Sequence, residues 1–129
     1  MVKSKFMDKY PVYTLEVAKK EIQLSSTDEI IQYFQEKIEK HPIAKFIALF
    51  DHYAHTKEID GEINPNILDV KNIIFCFGSM IPNTKVAAVR PRSIGVCELE
   101  DQFIIEFMEV PNEKLHELVE SWTKGLLTA

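Results

Sequence analysis

Residues 93–110, Ser-Ile-Gly-Val-Cys-Glu-Leu-Glu-Asp-Gln-Phe-Ile-Ile-Glu-Phe-Met-Glu-Val, carry the pattern on which the fold turns. Ser93 to Leu99 and Gln102 to Val110 read as two extended arms meeting at Glu100-Asp101. In the second arm Phe103, Ile105 and Phe107 fall on alternate positions, the mark of a strand with one buried face. The pair predicts an antiparallel hairpin whose apolar side must be covered. Downstream, Asn112 is placed to cap a helix in which Leu115, Leu118, Val119, Trp122 and Leu126 form one apolar stripe. Far upstream, Ser26-Thr27-Asp28-Glu29 is a capping box, with the Ser26 hydroxyl set to accept from the Glu29 amide and Glu29 able to reach back. Ile30, Ile31, Phe34 and Ile38 follow at helical spacing, and Pro42 stops the helix just past Lys40-His41.

The rest of the chain supplies further strands. From Tyr10 the sequence alternates, with Val12, Thr14 and Glu16 on one face and Tyr13, Leu15 and Val17 on the other, until Lys19-Lys20 breaks the apolar side. Ile43 to Phe50 is short and nearly all apolar, the pattern of a strand buried on both faces. Asn72 to Phe77 is another, closed by Gly78. The polar stretch between them, punctuated by Gly61 and Pro65, predicts a loop with a helical turn or two. The expected order is therefore strand, helix, strand, irregular region, strand, hairpin, helix. That order suits an α+β, two-layer fold: one mostly antiparallel sheet with two main helices on one face. Residues 1–9 are expected to be a tail and residues 10–129 a single domain.

Composition narrows the function classes. The chain has 129 residues, 46% hydrophobic and 27% charged, enough to form one folded domain with a real core. It carries 15 Lys and Arg against 20 Asp and Glu, a net charge of −5. A net acidic chain without a basic cluster argues against nucleic acid and anionic membranes as partners. Four glycines leave no room for a glycine-rich phosphate loop. No signal peptide or membrane span is visible, so the expected location is the cytoplasm, where Cys76 and Cys97 stay reduced. Cys76, among Ile74, Phe75 and Phe77, reads as a core thiol. Neither cysteine has a neighbouring His or basic residue to activate it, and Gly78-Ser79-Met80 lacks the second glycine of a nucleophile elbow.

Two groups of polar residues interrupt the apolar pattern. The first is Asp51-His52-Tyr53-Ala54-His55, where an apolar strand ends. If a helical turn begins there, His52 and His55 share a face, and with Asp51 they can bind a divalent metal; if the strand continues, they point to opposite faces. The alternative is that one histidine bonds backbone at the strand end while the other is solvated. The second group is Arg90-Pro91-Arg92. Residues two apart in an extended segment point the same way, so both guanidiniums can converge on a carboxylate or phosphate. The alternative is that each pairs with a local Glu or faces water. His41 reads as a helix C-terminal residue, His116 as an exposed first-turn residue, and Trp122 as core or interface.

The stations Asp51, His52, Ala54, Gly61, Pro65, Phe77, Gly78, Ala88 and Pro91 make residues 43–110 similar to small bacterial proteins of the domain of unknown function 302 family. The resemblance implies an α+β fold, possible dimers and no established reaction. The chain departs from that family at Ser79-Met80, where Asn-Pro is usual, and at Arg90, where Leu is usual. The leading expectation is a non-enzymatic binding or accessory protein without a cofactor. Asp51, His52, Tyr53, His55, Arg90 and Arg92 would form its polar pocket for an anionic small molecule or an acidic partner group. A metal-binding protein or enzyme using Asp51, His52 and His55 is the first alternative, and a homodimer without ligand chemistry the second.

Overall fold

A computed structural model describes residues 1–129. Six strands form one antiparallel sheet: β1 (Val2–Phe6), β2 (Tyr10–Ala18), β3 (Lys45–Phe50), β4 (Asp69–Cys76), β5 (Arg92–Glu98) and β6 (Gln102–Met108), in the spatial order β1-β2-β6-β5-β4-β3. The two long helices are α1 (Thr27–Lys40) and α4 (Glu113–Lys124); α2 (His52–Glu58) and the single turn α3 (Val86–Val89) are short. The α+β, two-layer expectation holds. No helix is long and apolar enough to cross a membrane.

Register explains where the core sits. Val17 lies opposite Phe103, Leu15 opposite Ile105, Val96 opposite Ile105 and Ile73 opposite Ile94, so these side chains share one face of the sheet. Against that face α1 buries Ile30, Ile31, Phe34 and Ile38, while α4 brings Val119 and Trp122. These residues belong to one cluster of 18 buried apolar side chains. The Tyr33 hydroxyl donates to the Trp122 carbonyl at 2.6 Å, tying the two helices together. Connecting β2 to β3 carries the chain from one side of the sheet to its far edge, and α1 makes that crossing over the covered face.

The helix boundaries follow their caps. Ser26 Oγ accepts from the Glu29 amide at 3.1 Å, as the capping box requires, but the Glu29 carboxylate returns to the Ser25 amide and hydroxyl instead of Ser26. Asn112 Oδ1 accepts from the Leu115 amide at 3.1 Å. At the end of α1, His41 turns its ring back, and Nδ1 accepts from the Ile43 and Ala44 amides.

Three expectations change. Residues 1–9 are not a tail: Val2–Phe6 pairs with β2, and Met7 and Asp8, both at positive φ, form the tight turn between them. The apolar run ending at Phe50 is not buried on both faces. As β3 it is an edge strand paired only with β4, bulged between Phe46 and Ala48, with Ile47, Leu49 and Phe50 exposed. His116 is buried rather than exposed, its Nδ1 accepting from the Val110 amide at 3.1 Å and its ring against Tyr13.

Candidate functional site

The two polar groups of the sequence lie on opposite faces of the sheet. Phe50 pairs with Asn72 and Asn72 with Gly95, which places Asn72 on the face away from α1 and α4. The chain leaves β3 at Asp51, and a helical turn does begin there. Asp51 caps α2 by accepting from the Ala54 amide at 3.1 Å, and the rings of His52 and His55 both lie against Phe50. His52 Nδ1 is 3.0 Å from Asn72 Oδ1, while Asn72 Nδ2 donates to Ser93 Oγ at 3.0 Å. Because the amide nitrogen is directed to Ser93, Asn72 Oδ1 accepts from Nδ1–H and leaves His52 Nε2 outward. Tyr53 lies beneath Lys57, whose ammonium is 5.3 Å from the ring centre. Nowhere are three His, Cys, Asp or Glu side chains grouped to hold a metal ion, and the carboxylate nearest the two histidines in sequence is occupied with its own helix.

Arg90 and Arg92 line one cleft on the other face of the sheet. Arg92 lies opposite Phe75 at the start of β5, beside the point where β6 runs out into α4. The cleft has a volume of about 170 Å³, and Phe77, Val86, Val89, Val110 and Leu115 form its apolar wall. Short as it is, α3 has a clear role here: Val86 and Val89 close one side. Arg92 donates from Nη2 to the Met108 and Glu109 carbonyls, both at 2.9 Å, and from Nη1 to the Val89 carbonyl at 3.2 Å. Its guanidinium therefore ties the ends of β6 and α3 together. Half-buried among these groups, it has its pKa lowered by loss of hydration.

Arg90 is held differently. Its Nη1 donates to the Met80 carbonyl at 2.6 Å, and its guanidinium lies directly over Gly78. A Cβ at residue 78 would run into the Arg90 guanidinium, so this approach requires glycine. Asn112, the cap of α4, also borders the cleft and brings the positive end of the helix dipole to the same side.

Partial burial without an ion pair is what separates these arginines from the nine unpaired lysines, all of which are exposed. They are the only arginines in the chain, which has 20 acidic residues. Neither forms an ion pair; every salt bridge uses Lys or His. Glu109, whose carbonyl Arg92 touches, directs its carboxylate to Lys3 Nζ and the Tyr13 hydroxyl, both at 3.1 Å. The expectation that each arginine pairs with a local Glu is thus replaced by carbonyl bonds. Sequence reasoning singled out the arginines but missed their companions. The short apolar run at Val86-Val89 and Gly78 were visible as features without any sign of what they faced. Asn72 and Ser93, the partners of His52, carried no signal at all.

The chain belongs to the family of unknown function DUF6858, whose model matches residues 1–128. That is an uncharacterised family, as the resemblance implied, but it is this one and not the domain of unknown function 302 family. No curated protein matches the chain.

Proposed function

We propose that this member of the family is a small binding or accessory protein whose cleft at Arg90 and Arg92 accepts an anion, either a small molecule or an acidic group on a partner. The observation that carries this reading is the absence of any carboxylate at the only two arginines of an acidic chain, both facing one cleft. A half-buried guanidinium is costly to desolvate, and carbonyl oxygens offset that only in part. An incoming carboxylate or phosphate makes the charge-assisted bonds that the protein itself leaves unmade. Asp51, His52, Tyr53 and His55 stand outside this cleft, so the polar pocket expected from both groups contracts to the arginine side. The cytoplasm is the compartment consistent with two unbonded cysteines.

The test is thermal unfolding of the wild-type chain and Arg90→Gln in the presence of small anions and their uncharged analogues. A ligand of the native state raises the midpoint by mass action. At least one anion should raise the wild-type midpoint, its neutral analogue should not, and Arg90→Gln should lose the effect. If Arg90→Gln responds as wild type does, the cleft is not the anion site.

A second reading, self-association, is favoured by one observation: the face of the sheet away from the helices carries exposed Val2, Phe6 and Met108, with Phe6 opposite Tyr10 and Met108 opposite Val12. Trp122 lends it no support, being buried in the core. Sedimentation equilibrium decides: a dimer that Phe6→Ser dissociates supports this reading, and a monomer at all concentrations removes it.

A further inference from the structure

We infer that the anion taken by this cleft is a monocarboxylate joined to an apolar body about the size of a benzene ring, rather than phosphate or another compact polyanion. The inference rests on the proposed anion cleft and adds the chemistry of its occupant. It comes from the contrast between the charged and apolar sides of the cleft. Phe77, Val86, Val89, Val110 and Leu115 offer no hydrogen-bond donor from their side chains, so the side-chain donors of the cleft are Arg90, Arg92 and Asn112. Of the five N–H groups of a guanidinium, Arg92 gives three to carbonyls and Arg90 gives one, so each retains at least two.

That supply suits the two oxygens of a carboxylate, which lie in a plane and accept from the Nε–H and Nη2–H fork that Arg90 leaves free. Phosphate places oxygens in all directions. Those turned from the arginines and Asn112 would meet valine and leucine methyl groups, which offer no donor to replace the lost water. For a carboxylate the same wall is favourable, because its organic body is what meets it. Size sets the body: the cleft measures about 170 Å³. An apolar cavity of about 150 Å³ is known to hold benzene. A methyl group alone leaves most of the wall uncovered.

The experiment is isothermal titration of the full chain with benzoate, acetate, inorganic phosphate and benzyl alcohol, paired with methyl NMR of the valines and leucines. Benzoate should bind at least about tenfold more tightly than acetate, since the ring buries several more carbon atoms. It should shift the methyl resonances of Val86, Val89, Val110 and Leu115. Benzyl alcohol, of similar shape but uncharged, should bind at least about tenfold more weakly than benzoate. Arg90→Gln should weaken benzoate binding, and the benzyl alcohol comparison on unaltered protein keeps the test independent of that variant's folding. Phosphate binding without benzoate binding overturns this inference and leaves the anion cleft standing. If no anion binds, or benzoate shifts methyl groups elsewhere only, both are overturned.

Discussion

At the scale of single residues, the cleft depends on two positions that work in opposite ways. Arg92 is structural as well as charged, since its guanidinium satisfies carbonyls of Met108, Glu109 and Val89. Arg92→Ala should therefore lower stability by about 1–3 kcal/mol in urea unfolding, because those acceptors lose a charged donor. A change too small to measure would mean that water replaces the side chain without cost. Gly78→Ala should do the reverse. The added methyl meets only the far end of the Arg90 side chain, which can swing away, so stability should change by less than about 1 kcal/mol. Anion affinity should nonetheless fall, because the Arg90 guanidinium no longer rests over residue 78. An unchanged affinity would contradict the placement of Arg90. Both arginines were legible as candidates because Arg-Pro-Arg stands out in an acidic chain. Gly78 was legible only as the end of a strand, since the need for glycine arises from a residue twelve positions later.

At the scale of elements, the helices were read more accurately than the edges of the sheet. A cap and an apolar stripe are local features, and both Ser26 and Asn112 act where the sequence placed them. Ser26→Ala should cost about 1 kcal/mol and lower the midpoint by about 3–5 °C, as measured by circular dichroism. No loss would mean that the Ser25–Glu29 bonds suffice to hold the first turn. Strands carry less information about their position. Residues 2–6 alternate Lys with apolar or small side chains, which is how an edge strand discourages pairing with other chains, yet it also resembles a solvated tail. The apolar residues of β3 suggested a central strand, but they lie at the other edge, and only pairing across the sheet reveals that. His116 was misplaced for a similar reason: its partner, the Val110 amide, is fixed by the bend from β6 into α4.

At the scale of the whole molecule, five acidic residues are held in ion pairs by Lys or His, while neither arginine pairs with an acid. For Asp69, burial opposes ionisation, but hydrogen bonds from Lys71 and Thr27 prevail and hold its carboxyl below the usual value. Lys3 and then Tyr13 do the same for Glu109; at Glu120 burial again opposes, and Lys124 and His116 prevail. A carboxyl with a lowered folded pKa contributes stability above its unfolded pKa, about 4, and loses it as pH falls through the folded value. The urea midpoint should therefore drop below about pH 4 on account of these groups, with Asp69→Asn giving a shallower fall. An identical acid limb in that variant would show that Asp69 plays no part. The central claim, that both arginines serve one anion cleft, has a direct test because the chain contains only two of them. The arginine Nε–Hε region of its NMR spectrum should hold two resonances, from Arg90 and Arg92. Titration with benzoate should move both along one binding isotherm, with a single Kd. If neither moves, or one moves while the other stays fixed, the two arginines do not share an anion site.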